Sequence, residues 1–335
     1  MARSESGELP GDRWSVGATR ENGRVSPSAE PTRVWRPGRP TAVGLVVAAF
    51  RRGAGDPTFQ SDRGDGWWLG LPTPAGPATL RLVQRSDLAE VHATAWGPGA
   101  AWALEQVPSL LGAEDDDSDF VAHHPQVAQA HRRYAAWHVP RSGLVLHALV
   151  PAAIEQKVTG QEAFGGYRVL VRRFGSRAPG PGADRRLWVA PDAAGWAAIP
   201  SWEWLRASVD GARSGTAVRA AKVAGRLEQA TAMTTTEASR RLRAVPGIGV
   251  WTAAETAQRA FGDADAVSFG DYHVAKNVTW ALTGEALGDE EMAEVLEPYR
   301  GHRFRVQRLL ELSGAMRPRR GPRMAPRTHL PNRQR

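Results

Sequence analysis

The first third of the chain has the hydrophobic pattern of short strands. Apolar residues are concentrated in segments 33–36, 42–50, 66–71 and 78–83, and the last of these alternates apolar and polar side chains. Clusters of glycine, proline and aspartate separate the segments, as they do in turns between strands. The pattern predicts a small antiparallel sheet, with a helix to follow over 98–107.

Beyond residue 119 the spacing of apolar residues changes to three and four, which is typical of helices. This spacing runs through 125–137 and 143–164, and it returns near Trp202 and over 218–232. A stretch rich in glycine and proline, 175–184, interrupts the series. The predicted fold class is therefore α+β, with a small antiparallel-sheet α/β domain in front of an all-helical domain.

Composition suggests where these domains begin and end. Residues 1–32 are polar and rich in Gly, Ser and Pro, which predicts a disordered tail and lacks the apolar core of a secretory signal. The acidic run 114–119 has the character of a linker. We therefore expect a sheet domain over 33–118, a helical domain over 119–314 and a basic tail over 315–335.

The formal net charge of +8 suggests a polyanionic partner, but most of that charge lies at the C-terminus. The tail contains no acid and has arginines at positions 317, 319, 320, 323, 327, 333 and 335. Subtracting these seven charges from +8 leaves +1 for residues 1–314. Such an arm can bind nucleic acid without reading sequence, or it can be a solvated tail, and composition does not distinguish the two.

Two absences narrow the chemistry. The chain has no cysteine, which excludes disulfides, thiolate catalysis and cysteine-ligated zinc or iron–sulfur clusters. No apolar run approaches the roughly 18 residues that a membrane span needs. The simplest interpretation is a cytoplasmic protein without a membrane partner.

The most specific local signal is the segment 242–253, Leu-Arg-Ala-Val-Pro-Gly-Ile-Gly-Val-Trp-Thr-Ala. Thr234 and Glu237 have the spacing of a capping box, so a helix is predicted to start there and to end by Val245, because Pro246 follows. A second helix over 250–261 is closed by Gly262. Glycines before a helix N-terminus let a phosphate approach unpaired N–H groups at the positive end of the helix dipole. The alternative is a purely structural turn.

This segment resembles the helix–hairpin–helix element of DNA-repair glycosylases, usually written Leu-Pro-Gly-Ile-Gly-x-Trp-Thr-Ala, with Val245 in place of the first leucine. The resemblance extends loosely over 33–316, is strongest over 234–282, and is closest to the alkylation-repair type, 3-methyladenine DNA glycosylase II. It implies a sheet domain before helical domains. It assigns DNA contact to Gln156, Lys157, Thr159, Pro246, Gly247, Ile248, Gly249, Thr252, Arg300 and Arg303.

The resemblance also implies a catalytic aspartate about twenty residues after the second hairpin glycine, and Asp271 occupies that position with Tyr272 after it. Breaking an N-glycosidic bond builds positive charge on the sugar, which a carboxylate stabilises while it orients or deprotonates the attacking water. Asp271 is also a natural N-cap for a helix over 273–282. Asp263 and Asp265 are expected to be solvated loop residues.

Members of the superfamily that also cleave the DNA backbone carry a Schiff-base lysine two residues after the second hairpin glycine. Here that residue is Trp251, and no lysine follows until Lys276. The resemblance therefore implies a monofunctional enzyme. Trp251 is expected either to stack on an extruded base or to anchor the hairpin.

Two further positions differ from the alkylation-repair prototype. Lys157 stands where the prototype has an apolar wedge that fills the gap left by the extruded base; its aliphatic stem could serve, or it could be an ordinary surface lysine. Glu255 replaces a pocket aromatic, which predicts a base pocket of Trp251, Glu255 and Tyr272 that is less aromatic and more anionic. The range of substrates is accordingly open.

Arg300 and Arg303 precede a final helix over 304–312 and are expected to contact phosphate or to pair with nearby acids. His273 and His302 have no partners at metal-ligand spacing, so no side-chain metal site is predicted. No cofactor is expected, apart from a monovalent cation that hairpin carbonyls could hold.

The resemblance implies a nucleoid-associated monomer that extrudes an alkylated, 3-methyladenine-like base from double-stranded DNA and hydrolyses its N-glycosidic bond, leaving an abasic site. Two alternatives stay open. One is a glycosylase for an oxidised, deaminated or mismatched base. The other is a DNA-damage binder without catalysis, against which the retained Asp271 argues.

Overall fold

The alternating N-terminal segments form an antiparallel sheet in the computed structural model, which describes residues 30–62 and 66–318. Its strands are β1 (Thr32–Trp35), β2 (Phe59–Ser61), β3 (Gly66–Thr73), β4 (Gly76–Arg85) and β5 (Glu90–Trp96). Within the described residues these five strands pair in the order β1-β5-β4-β3-β2, with every pairing antiparallel. A helical region follows, so the α+β prediction is confirmed.

The apolar run 42–50 was wrongly predicted as a strand. It forms a helix, α1 (Val43–Val47), and a 3-10 turn, Ala48–Phe50. Val43, Val46 and Val47 are buried while Leu45 is exposed, which is the face of a helix rather than of a strand. A short continuous apolar run fits either element, and here burial against the sheet selects the helix. Strands β2 and β5 were not predicted.

The helices after the sheet begin with α2 (Ala100–Glu105) and α3 (Val107–Leu110) in the segment predicted as one helix. The remaining helices are α4 (Pro125–Arg133), α5 (Val145–Glu155), α6 (Gly160–Phe174), α7 (Pro181–Asp184), α8 (Ala193–Ala198), α9 (Ser201–Arg206), α10 (Gly211–Lys222), α11 (Ala224–Glu228), α12 (Thr235–Arg243), α13 (Val250–Ala260), α14 (Val274–Thr283), α15 (Asp289–Leu296) and α16 (Arg303–Ser313). Shorter elements are two strands, β6 (Ser176–Arg177) and β7 (Trp188–Val189), and 3-10 turns at Gln229–Ala232 and Glu297–Tyr299.

The helical stretch 143–164 divides into α5 and α6 with a turn between them. Thr159 caps α6 by accepting the N–H of Glu162 at 3.3 Å, and Lys157 in the turn has a left-handed backbone, with φ of 54°. The capping box at Thr234 and Glu237 is present as predicted. Because the stretch 143–164 is divided in this way, the turn at 156–159 lies beside the hairpin between α12 and α13.

The core of the sheet region includes residues from the far end of the chain. Phe304 and Leu309 of α16 are buried in the same cluster as the inward-facing residues of the sheet. A second apolar core lies between α5, α6, α10 and the hairpin helices. The division at residue 118 stays a prediction, and the predicted tails lie outside the described residues except for residues 30–32 and 315–318.

The acidic run 114–119 is exposed at four of its six positions, but Asp115 anchors it to the protein. Asp115 is buried and receives both guanidinium nitrogens of Arg305, at 2.5 and 3.0 Å, together with the N–H of Val139 at 2.9 Å. Arg305 also donates to His302 Nδ1 at 3.1 Å, and the other ring nitrogen of His302 lies 2.9 Å from Asp119. The run therefore fixes α16 against the sheet region.

Candidate active site

The turn between α12 and α13 has the backbone that its glycines were expected to allow. Gly247 has a φ of 95°, and a Cβ built on it would lie 2.1 Å from Thr216 Oγ1. Ile248 is buried and anchors the turn, whereas Pro246, Gly247 and Gly249 are exposed. Only glycine fits at 247, and the backbone of Pro246, Gly247 and Gly249 lies at the surface of the protein.

The start of α13 offers unpaired backbone donors. Gly249 is the N-cap, and no side chain accepts from the first turn. Within the described residues, the first backbone N–H of this turn that finds a protein acceptor is that of Ala253, which donates to Gly249 O at 3.0 Å. Unpaired N–H groups at a helix N-terminus form a ready site for an anion.

Beside the hairpin lies an open groove of about 830 Å³. Three arginines, Arg240, Arg243 and Arg303, and two acids, Asp263 and Asp265, line it. Arg303 pairs with Asp265, so the positive charge that this groove adds beside the helix N-terminus comes from Arg240 and Arg243.

The inner side of the hairpin is tied to two neighbouring helices. Gln156 Nε2 donates to Gly247 O at 2.9 Å and to Thr252 Oγ1 at 2.7 Å, and Arg219 Nε donates to Pro246 O at 2.9 Å. Gln156 and Thr252 therefore hold the hairpin, whatever else they contact. Because the Arg219 guanidinium donates to Pro246 O, this carbonyl is a poor ligand for the monovalent cation predicted at the hairpin. The presence of that cation stays a prediction.

Asp271 lies half-buried between the hairpin and α14, and both of its oxygens are engaged. Oδ1 accepts the N–H groups of His273 and Val274 at 2.8 and 3.1 Å, and Oδ2 accepts the indole N–H of Trp251 at 3.1 Å. Asp271 therefore holds the turn that leads into α14, although the N-cap position itself is His273. The bond from Trp251 was not predicted, and it gives this indole a role in orienting the carboxylate.

The other two residues predicted in the base pocket have different surroundings. Tyr272 is 76% exposed, with Lys276 Nζ 4.6 Å from the centre of its ring, so it lies at the rim. Glu255 is paired inside the protein: its carboxylate accepts from Ser268 Oγ at 2.6 Å and from Arg259 Nη1 at 2.8 Å. Each oxygen of Glu255 therefore has one donor inside the protein, and its place in a base pocket stays a prediction.

The pKa of Glu255 follows from these partners. Burial alone would raise its pKa, but Arg259, the Ser268 hydroxyl and Arg52 outweigh burial and hold the pKa below its ordinary value. Arg259 in turn donates to Ala49 O at 2.9 Å, in the segment before the second strand. Glu255 is therefore a buried anion that helps to join α13 to the N-terminal region.

A second buried ion pair, which the sequence did not predict, lies beside the first. Arg52 Nη1 donates to Glu155 Oε1 at 3.2 Å, and their side chains are 6% and 17% exposed. Burial raises the pKa of Glu155, the charges of Glu255 and Asp271 raise it further, and Arg52 and Arg259 oppose them. The available signal was an acid directly before Gln156, at the end of a helix whose only other polar residue is His147.

The remaining predicted DNA contacts are at the surface. Lys157 is exposed in its left-handed turn. Arg300 lies 2.5 Å from Glu297, and Arg303 forms two bonds with Asp265, at 2.7 and 2.5 Å. Asp265 is therefore a structural partner rather than a solvated loop residue.

No family model and no curated protein matches the chain. Among solved structures, the 3-methyladenine DNA-glycosylase from Archaeoglobus fulgidus superposes with a TM-score of 0.70 at 17% identity, covering 84% of this chain and 98% of that one. The chain has a DNA glycosylase fold. The 8-oxoguanine glycosylase/lyase from Clostridium acetobutylicum, in complex with double-stranded DNA containing cytosine opposite 8-oxoG, superposes with a TM-score of 0.65 at 9% identity, covering 84% and 94%.

The described residues contain neither a cluster of metal ligands nor a helix fit to span a membrane. No three His, Asp or Glu side chains there come together as a group able to hold a metal ion. No helix in that part of the chain combines the length and apolar character of a membrane span.

Proposed function

We propose that this chain is a monofunctional DNA glycosylase of base excision repair, which extrudes an alkylated, 3-methyladenine-like base and hydrolyses its N-glycosidic bond. The observation that carries the proposal is Asp271. A half-buried carboxylate is fixed by the Trp251 indole and two backbone N–H groups beside a helix N-terminus with unpaired donors. For binding anionic DNA alone, an uncharged capping residue such as asparagine or serine would serve this turn as well.

DNA binding would begin at the hairpin. Phosphate oxygens would accept from the open N–H groups at the start of α13, and Arg240 and Arg243 of the adjoining groove would add positive charge. Lys157, exposed in its left-handed turn, would occupy the gap left by the extruded base with its aliphatic stem. Extrusion costs less at a damaged pair, which contributes to selectivity.

Asp271 would then face the sugar of the extruded nucleotide. As the bond to the base breaks, positive charge develops at C1′, and the carboxylate stabilises it and takes a proton from the attacking water. An alkylated purine is already cationic and departs with little assistance. Trp251 stands where lyases have a lysine, and α13 contains no lysine, so hydrolysis to an abasic site is proposed.

The test is a panel of duplexes that carry 3-methyladenine, 7-methylguanine, 8-oxoguanine or a mismatch. We expect free methylated purine and an intact abasic strand, without a covalent adduct on borohydride reduction. Release of 8-oxoguanine without any methylated purine would refute the alkylated-base assignment, and a trapped adduct would refute the monofunctional one.

Substituting Trp251 with phenylalanine tests how Asp271 is oriented. An aromatic ring remains, but it is smaller, and the indole N–H bond to Asp271 at 3.1 Å is lost. A hydrogen bond to a charged group contributes roughly 1.5–3 kcal/mol, so we expect the single-turnover rate to fall about tenfold or more. Duplex affinity should stay close to wild type; a parallel loss of affinity would point to base stacking as the main role of Trp251.

The two hairpin glycines form a matched pair for testing DNA contact. Gly249 has an ordinary φ of −89°, and a Cβ there meets no atom within 4 Å, so Gly249→Ala should fold normally. Its methyl group would obstruct phosphate at the helix N-terminus, and we expect weaker duplex binding by fluorescence anisotropy. Unchanged binding would contradict the proposed contact.

Gly247→Ala should instead act on folding. The left-handed φ of 95° and the clash with Thr216 Oγ1 both oppose a side chain at this position. We expect a loss of roughly 1–3 kcal/mol in the free energy of unfolding. Thermal unfolding of the two variants side by side measures the difference, and equal melting temperatures would contradict this account of the turn.

A further inference from the structure

The loop that carries Asp271 is anchored by a buried serine. Ser268 is 0% exposed, and its carbonyl oxygen accepts the backbone N–H of Asp271 at 3.2 Å. The N–H of Ser268 donates to Gln307 Oε1 on α16, also at 3.2 Å. The main chain just before the proposed catalytic carboxylate is therefore held at both the N–H and the carbonyl group of one residue.

The hydroxyl of Ser268 makes every hydrogen bond that a serine side chain can make. It donates to Glu255 Oε1 at 2.6 Å, and it accepts from Gln258 Nε2 at 2.9 Å and from Gln307 Nε2 at 3.3 Å. A hydroxyl has one donor and two acceptor lone pairs, so its capacity is filled. Because the other two neighbours are amide donors, Glu255 supplies the acceptor that this arrangement needs.

Glu255 is suited to this part because it is a buried anion. Burial would raise its pKa, but the charge of Arg259, the Ser268 hydroxyl and the charge of Arg52 together hold the pKa below its ordinary value. An ionised carboxylate accepts hydrogen bonds and donates none. Arg259 Nη1 donates to Oε2 at 2.8 Å, which leaves Oε1 for the Ser268 hydroxyl.

Further contacts hold the loop next to Asp271 itself. Gly270 has a left-handed φ of 84°, and its N–H donates to Asp289 Oδ2 on α15 at 2.8 Å. The indole of Trp251 on α13 then donates to Asp271 Oδ2. Side chains of α13, α15 and α16 therefore converge on residues 268–271, which end at the proposed catalytic carboxylate.

We propose that Glu255 is a positioning residue for Asp271, acting through the hydroxyl of Ser268. The inference rests on the proposed glycosylase function. Without its acceptor, the Ser268 hydroxyl is surrounded by donors, so the main chain at 268 has to shift and Asp271 moves with it. A displacement of about 1 Å at a reacting group can cost roughly 10²-fold in rate.

A direct contact between Glu255 and the extruded base leads to a different expectation. Discrimination between substrates comes from contacts that differ between them, so a pocket side chain changes the rates for different bases by different factors. A positioning residue changes the rate for every base by the same factor, because the same carboxylate acts on each. The ratio of the rates for two bases therefore separates the two roles.

The first variant is Ser268→Ala, which removes the hydroxyl and leaves the ion pair between Glu255 and Arg259 in place. We expect single-turnover release to slow by roughly 10- to 10²-fold, equally for each base that the wild type releases. Duplex affinity should stay at the wild-type value. The matched control is Thr79→Ala, because the Thr79 hydroxyl is also buried and donates to Pro179 O at 2.6 Å in the sheet region. This control should keep the wild-type rate.

The second variant, Glu255→Gln, alters the acceptor itself. Glutamine can offer its oxygen to Ser268 or to Arg259, but its amide NH₂ group then faces the other donor. We expect the same slowing as in Ser268→Ala. The double variant should be no slower than the slower single variant, because both substitutions remove one shared interaction. If Glu255→Gln does not fold, Ser268→Ala alone decides.

The decisive comparison repeats Ser268→Ala in Asp271→Asn. If Ser268 acts through the carboxylate, its substitution should slow wild type but leave the residual rate of Asp271→Asn unchanged. Equal slowing in both backgrounds would show a general effect of the loop and overturn the proposal. Slowing that differs between bases would overturn it in favour of a contact with the base.

Failure of this inference can be told apart from failure of the glycosylase function. A wild type that releases base, together with a Ser268→Ala variant that releases it as fast, removes the positioning role and leaves the function intact. A wild type that releases no base from any duplex removes both.

Discussion

Replacement of Asp271 by asparagine is expected to slow base release by roughly 10²–10⁴-fold, the usual contribution of a positioned acid or base. Asparagine keeps one oxygen for the N–H groups of His273 and Val274, so the start of α14 should form normally. It cannot carry the negative charge that stabilises C1′, and it cannot accept a proton from water. Single-turnover kinetics at saturating enzyme isolate this chemical step.

The matched control is Asp192→Asn, because Asp192 is also a helix-capping aspartate. Its carboxylate accepts the N–H of Gly195 at 2.7 Å at the start of α8, and it has no contact with the hairpin. We expect this variant to retain full activity, and Asp271→Asn to bind duplex DNA as tightly as wild type. If Asp271→Asn turns over as fast as Asp192→Asn, the catalytic assignment of Asp271 is wrong.

Removal of Arg305 is expected to have the largest effect on stability. Its side chain and that of Asp115 are 1% and 2% exposed, and Arg305 donates to both carboxylate oxygens. Truncating one member of a buried pair leaves the other charge without a partner and costs roughly 3–5 kcal/mol. We therefore expect Arg305→Ala to lower the free energy of unfolding by about that amount in urea denaturation.

Arg300→Ala is the corresponding surface substitution. Arg300 and Glu297 also form an ion pair, but their side chains are 69% and 55% exposed. Exposed pairs contribute about 0–1 kcal/mol, so this variant should unfold close to wild type. Similar losses from the two variants would show that the ion pair between Asp115 and Arg305 does not hold α16 against the sheet region.

The hairpin and its capping box could be predicted from sequence because local geometry dictates their residues. Gly247 needs a left-handed φ and room beside Thr216, and the spacing of Thr234 and Glu237 is itself the capping interaction. The prediction of a strand over 42–50 was wrong because local geometry does not dictate the residues of this run. Valine and alanine suit both a buried strand and a buried helix, and packing decides between them.

The polar interior of the site could not be predicted. Arg52 and Glu155 are about a hundred residues apart, and nothing in either local sequence marks the other as its partner. The position of Glu255 predicted a pocket residue, but its bonds from Ser268 and Arg259 could not be predicted either. The sequence identified residues near the proposed reaction site. Contacts between distant parts of the chain determine which of their side chains are paired inside the protein.

The most direct test of the central claim is a single turnover on a duplex that carries one 7-methylguanine. If Asp271 directs hydrolysis of the glycosidic bond, mass spectrometry will find free 7-methylguanine and an unbroken strand with one abasic site. Asp271→Asn will leave most of the base attached over the same time. An intact methylated strand after incubation with wild type, or equal release by Asp271→Asn, would contradict this account.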